Sequence, residues 1–239
     1  MTLQAINHLM FPTLVSLFKC DRHQEFKSVA LDRLPAHCAI HENGGLFSGE
    51  ASGHVDVHTD PALEGLFRFV TEGVAAYLDQ LSFDRSRVDI NIVKTWVSVT
   101  DANTVTPAHL HATSHLSFVY YLQMPQNADN IAFRIQSSPN EPYSGAFDVG
   151  TPRQRPMVRE HNALNSNQCS MGTSEGDLLV FPSHVFHGTH KVGDMGSDQR
   201  ISIAGDVLLV FNEERPNYAT GLFSPSIWRC FPTSSSEGS

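Results

Sequence analysis

Histidine is the side chain with the most chemistry to offer in this sequence, and two clusters carry it. Thirteen of the 239 residues are histidine, against 16 lysines and arginines together. The first cluster is Pro107-Ala-His109-Leu-His111-Ala-Thr-Ser-His115, which runs straight into the apolar stretch LSFVYYLQ. On an extended segment residues two apart point to the same side, so His109 and His111 present both rings to one place. Two imidazoles so placed can share a borderline metal such as iron, zinc or copper. By itself a His-x-His pair is explained as well by surface or core histidines beside a turn. The second cluster is GDLLVFPSHVFHG over residues 176–188. A strand ends there at Pro182, turns, and offers His187 on the next strand. A barrel can bring a third imidazole from that strand to the first two, and the two clusters together are far more specific than either alone.

The other histidines are weaker candidates. His115 stands four residues beyond His111 and is expected in the cleft or just behind a metal ligand. His184 precedes His187 by three and is expected to face outward. Gly53-His54-Val55-Asp56-Val57-His58 holds a literal His-x-Asp, but no β run follows it, and it reads as a turn leading into Asp60. His8, His23, His37, His41, His161 and His190 have no partner at ligand spacing and are expected at the surface.

Thirteen residues after His187 comes Arg200-Ile-Ser202-Ile. Arg200 and Ser202 share a face of an extended strand, and the expected face is the interior. A buried guanidinium is costly unless a carboxylate meets it. A dicarboxylate co-substrate would do so with paired hydrogen bonds. An internal acid such as Asp206 is the alternative partner.

The elements that must position these groups are mostly strands. Asp60-Pro61 is a helix start, an N-cap followed by proline. Residues 61–81 place Leu63, Leu66, Phe67, Val70, Val74 and Leu78 on one helical face, which predicts a helix packed outside a sheet. A shorter helix is expected over 24–34 in an otherwise irregular 1–60, with a turn at 43–45. Strands are expected over 88–92, 95–99, 116–123, 130–136, 177–181, 185–192 and 200–211. Short strands without intervening helices predict an antiparallel sandwich or barrel. The long polar connection 137–175 is a candidate lid. The expected organisation is a single domain over 1–211, with an irregular and helical part to 87 and a β core over 88–211. Residues 212–239 form a C-terminal extension with a disordered end.

Composition narrows the function classes. A formal net charge of −9 argues against nucleic acid as a partner. Arg153, Arg155 and Arg159 are the one candidate basic patch, and their proline-containing stretch reads as a solvated loop. Four widely spaced cysteines argue against a disulfide framework and for a reducing, cytoplasmic compartment. No apolar run reaches the about 18 residues of a membrane span, and the first 20 residues lack the marks of a signal peptide.

Taken in order, WVSV, HLHATSHLSFVYYLQMP, GDLLVFPSHVFH and RISI resemble the 2-oxoglutarate–iron(II) oxygenases of marine bacteria and their phages, and the opening Leu9-Met-Phe-Pro-Thr13 is similar as well. The resemblance covers about residues 9–211. It implies a mainly β, double-stranded β-helix (jelly-roll, cupin-like) fold with N-terminal helices outside. It also implies iron(II), 2-oxoglutarate and dioxygen, and hydroxylation of a small-molecule or peptide substrate with release of succinate and carbon dioxide. By resemblance His109 and His187 are iron ligands, Arg200 anchors the far carboxylate of 2-oxoglutarate with help from Ser202, and Tyr120 or Tyr121 adds a phenol hydrogen bond. The sequence departs from the wider superfamily at His111, which stands where the metal-binding acid usually does, so the implied ligand set is His109, His111 and His187. Two other readings stay open. One is a cupin-type metal enzyme or binding module that uses no 2-oxoglutarate, which would have no need of an inward Arg200. The other is a barrel with no enzymatic role.

Overall fold

The computed structural model describes residues 12–42, 45–101, 104–128, 130–135, 140, 160, 162, 164–190, 198–212, 225 and 228–229. Ten strands and two helices follow in order: β1 (Ser16–Lys19), α1 (His23–His37), β2 (Ala39–Ile40), β3 (Leu46–Phe47), α2 (Glu64–Gln80), β4 (Val88–Thr100), β5 (Leu116–Gln123), β6 (Asn130–Arg134), β7 (Gln168–Met171), β8 (Asp177–Pro182), β9 (Phe186–His190) and β10 (Arg200–Phe211). Five strands form one sheet in the order β1-β8-β5-β10-β4, and three form a second in the order β7-β6-β9. Every pairing within both is antiparallel. This is the mainly β, double-stranded β-helix arrangement that the short strand signals implied.

The large sheet is buried on both faces, and alternation along its strands divides two cores. On β5, Leu116, Phe118, Tyr120 and Leu122 join a core with the buried faces of α1 and α2. Val119 and Tyr121 point the other way and pack with Trp96, Ile131, Phe133, Leu179, Phe181 and Ala204, between the two sheets. Helix α2 buries Leu66, Phe67, Val70, Val74 and Leu78, the stripe expected from the sequence. Its start is delayed by one turn. Asp60 accepts a hydrogen bond from Ala62 N and opens a 3-10 turn over Pro61–Leu63 before the α-helix begins. Helix α1 buries His23, Phe26, Ala30 and Leu34.

Several expectations are corrected. Residues 16–19 are not irregular: β1 pairs with β8 from Ser16↔Val180 to Lys19↔Asp177. The β character read over 88–92 and 95–99 runs unbroken as one strand, β4, through Val93 and Lys94 at the edge of the large sheet. A strand, β7, lies within 137–175. Residues 137–139 and 141–159 of that connection, the three arginines in it, His8, His161, the 43–44 part of the expected turn and most of 213–239 fall outside the described residues. No helix among the described residues is long and apolar enough to cross a membrane.

Gly205 sits at the centre of the large sheet, beside a register shift at Asp206/Val207. A Cβ there would lie 2.6 Å from the Phe118 ring and 2.7 Å from Lys94 O, and the backbone oxygen cannot rotate away. Gly205→Ala is therefore expected to cost about 1–3 kcal/mol through overpacking. Urea unfolding checks this, and a midpoint equal to wild type would refute it.

Candidate metal and anion site

Backbone pairing brings the two histidine clusters together. His109 N donates to His187 O and His187 N to His109 O, both at 2.9 Å, forming an antiparallel bridge. His111 N donates to Ser183 O, and Ser183 N to His115 O. Gly188 makes the approach possible. A Cβ there would stand 2.7 Å from Thr106 O and 3.0 Å from Ala108 N, all backbone. The three rings then stack round a common point, with centroids 5.1 Å (His109–His111), 4.6 Å (His109–His187) and 5.1 Å (His111–His187) apart. One nitrogen from each lies within 4.8 Å of the others.

Hydrogen bonds at the far side of each ring decide which nitrogen that is. Nδ1 of His109 lies 2.8 Å from Pro107 O, Nδ1 of His187 lies 2.9 Å from Val185 O, and Nδ1 of His111 lies 2.5 Å from an oxygen of Asp206. All three partners are acceptors, so each Nδ1 carries the proton and each Nε2 keeps its lone pair. Nε2 of His111 is buried without a hydrogen-bond partner among the described residues. Trp96 stacks on His111 at 5.4 Å, and Phe181 packs edge-on against His187 at 4.7 Å. Burial holds the pKa of His187 down to about 4, while the Val185 carbonyl opposes the shift and the two neighbouring imidazoles reinforce it. Three unprotonated imidazole nitrogens facing one point form a donor set that fits a divalent first-row metal.

The same cavity, about 120 Å³, is also lined by Arg200 and Ser202. Arg200 is 4% exposed, and its guanidinium lies 5.0 Å from the centre of the Tyr121 ring. Its Nε is buried with no hydrogen-bond partner among the described residues, and the buried hydroxyls of Tyr121 and Thr173 lie close to one another and to Arg200 without a well-aligned bond. Burial raises the pKa of Tyr121, and the positive charge of Arg200 opposes that rise. A buried cation with an unused N–H beside two hydroxyls fits a carboxylate.

The suggested Arg200–Asp206 pair does not form. Six residues of extended strand separate them by about 20 Å, beyond the reach of both side chains. Asp206 bonds His111 instead. Tyr120 faces the helices, and its hydroxyl meets Nδ1 of His23 at 2.8 Å. His23 is thus a buried residue rather than a surface one, and burial lowers its pKa. His115 is exposed and turned away, its Nδ1 accepting from Leu209 N. His184 is exposed, as expected. The segment 54–58 forms a turn before Asp60, with His58 bonded to Thr95. Thr173 was not anticipated, since its segment 172–174 carries no motif. Asp206 as the partner of His111 was readable in part, because it shares a strand face with Arg200 and Ser202.

The sequence model of a family described as "Putative 2OG-Fe(II) oxygenase" matches residues 94–206, which span β4 to β10 and include every residue of this cavity named so far. No curated protein sequence matches the chain. Among solved structures, the non-heme alpha ketoglutarate dependent epimerase SnoN from nogalamycin biosynthesis is 13% identical, with 82% of this chain and 78% of that one covered and a TM-score of 0.50. A Pseudomonas putida prolyl-4-hydroxylase is 14% identical over 81% and 86%, with a TM-score of 0.47. HygX from Streptomyces hygroscopicus, solved with nickel and 2-oxoglutarate bound, is 12% identical over 89% and 91%, with a TM-score of 0.46. At such identities the likeness is one of fold.

The buried imidazole sets a pH dependence. Folded His187 stays neutral to about pH 4, whereas its ordinary value is 6.5. The unfolded chain therefore takes up the proton first, and stability falls as pH drops through that window. The metal-free protein should lose thermal stability between about pH 6.5 and about pH 4, and His187→Gln should flatten that slope. An unchanged slope in the variant would refute the assignment.

Proposed function

We propose that this chain is a 2-oxoglutarate–iron(II) oxygenase, the kind of protein whose family model matches residues 94–206, and that it holds iron(II) on Nε2 of His109, His111 and His187 and seats 2-oxoglutarate against Arg200. The observation that carries the reading is the buried, unpartnered Nε of Arg200 in the same cavity as three converging imidazoles. A cupin that uses no 2-oxoglutarate leaves that buried cation unexplained.

Iron(II) held by the three histidines, with 2-oxoglutarate against Arg200, would supply dioxygen activation, one oxygen atom going to succinate with loss of carbon dioxide and the other to a C–H bond of the substrate. The chain's own residues do the positioning. Arg200, its guanidinium 5.0 Å from the centre of the Tyr121 ring, meets the far carboxylate, with the hydroxyls of Tyr121, Thr173 and Ser202 beside it. Preset donors of this kind cost little reorganisation when the anion arrives. Val119, Ile131 and Phe181 give the cavity an apolar wall. Pro107, Val185 and Asp206 hold the ring orientations from behind.

The substrate class proposed is a small molecule or a peptide side chain, because a chain of net charge −9 lacks the basic surface a nucleic acid needs. A cytoplasmic setting accords with Cys20, Cys38 and Cys169, which are free thiols. A marine bacterial or phage origin rests on the motif resemblance alone.

Anaerobic iron(II) titration with and without 2-oxoglutarate tests the reading, followed by the visible charge-transfer absorption of an iron–keto-acid chelate. Arg200→Ala should weaken 2-oxoglutarate binding about 30-fold or more, the scale for truncating a buried charged partner, and leave iron affinity nearly unchanged. Loss of iron as well would make Arg200 structural. Iron loading with no chelate absorption in wild type would favour the cupin.

A further inference from the structure

The environment of Asp206 assigns it a task that the ligand set alone leaves undone. Its side chain is 4% exposed on β10, and one oxygen faces Nδ1 of His111 at 2.5 Å and the Ser117 hydroxyl at 3.3 Å. Ser117 in turn meets Ser183, which also accepts from Ser114. No lysine or arginine pairs with Asp206 among the described residues. A buried carboxylate whose neighbours are an imidazole and a hydroxyl is costly unless a positive charge stands close by. The imidazole it touches points its other nitrogen, buried and unpartnered, at the place where three lone pairs converge. A cation there would meet the carboxylate's charge through one ring.

We infer that Asp206 is a positioning residue that delivers negative charge to the metal through His111, in place of the carboxylate that would otherwise bind the metal directly. The inference rests on the proposed iron site. It explains how a three-imidazole set keeps a divalent cation without a charged ligand. A carboxylate on Nδ1 fixes the ring's orientation and tautomer and makes Nε2 a stronger donor. The bond from the Ser117 hydroxyl is the longer of the two, at 3.3 Å, so the hold on the carboxylate's charge is the His111 ring itself.

Cobalt(II) serves as an optical probe that needs no turnover. Affinity is measured by competition titration, and the ligand field by visible absorption, for wild type, Asp206→Asn and Ser117→Ala. Asparagine keeps an acceptor for Nδ1 and removes only the charge. Asp206→Asn should therefore bind cobalt about 10- to 100-fold more weakly, with shifted bands and a raised iron(III)/iron(II) potential. Ser117→Ala leaves the charge in place and should bind cobalt as tightly as wild type. Asp206→Asn with wild-type affinity, bands and potential would overturn the inference and leave the metal site standing. Should Asp206→Asn not fold, weakened binding in Ser117→Ala would overturn the inference, since the carboxylate's charge is intact there, and wild-type binding would support it. Wild type that takes up no cobalt would overturn the iron site itself, and this inference with it.

Discussion

Three imidazole lone pairs aimed at one point repel each other, so the arrangement persists only if the protein enforces it from behind. The enforcement is visible at each ring. Two backbone carbonyls and one carboxylate hold the Nδ1 protons, and a two-way backbone bridge ties His109 to His187. The lone pairs can turn away only by breaking those bonds, and breaking a buried hydrogen bond costs about 1–3 kcal/mol. The rest of the fold can be understood as the apparatus that makes this convergence cheaper than its alternatives.

Alternation along β5 and β10 is the main part of that apparatus. On β10, Arg200, Ser202, Ala204 and Asp206 share the inner face, while Ile201, Ile203 and Val207 pack toward the helices. On β5, Ser117 and Tyr121 stand opposite Asp206 and Ser202 in register. A slip of one residue would turn every one of these groups to the wrong side. The helical layer opposes such a slip, since Tyr120 is tied to His23 of α1, and Phe118 is wedged over Gly205. Packing on one face of the sheet thus fixes chemistry on the other.

What the sequence disclosed follows the same physics. Strands β5 and β10 were legible to the residue because both are long, β-branched and aromatic, and bounded by polar breaks. The face of Tyr120 and Tyr121 was not legible. With both sides of β5 buried, apolar content cannot say which side is which, and only the pairing register decides. β1 was hidden because a four-residue SLFK segment becomes a strand by joining β8, 158 positions away for the Lys19–Asp177 ion pair. β7 was hidden because QCSM is largely exposed and carries no apolar alternation. The histidine pair and His187 were legible as types and spacings. Their convergence needed the turn at 182–185 and the space left at Gly188. Thr173 gave no signal at all, because it lies in a loop and its relevance comes from what surrounds it.

The separation of Arg200 from Asp206 gives the cavity its polarity. Both are buried on the inner face of one strand, with about 20 Å between their backbone positions. Had they been neighbours, each would have cancelled the other, and the cavity would have held a closed ion pair with no call on a ligand. Held apart, Arg200 keeps a free N–H beside two hydroxyls, and Asp206 keeps a carboxylate whose side-chain bonds run to His111 and Ser117. A molecule with an anionic end fits the first, and a cation fits the second. β10 therefore sets a distance between two opposite demands, and a metal at the histidines with a dicarboxylate bridging toward Arg200 would satisfy both at once.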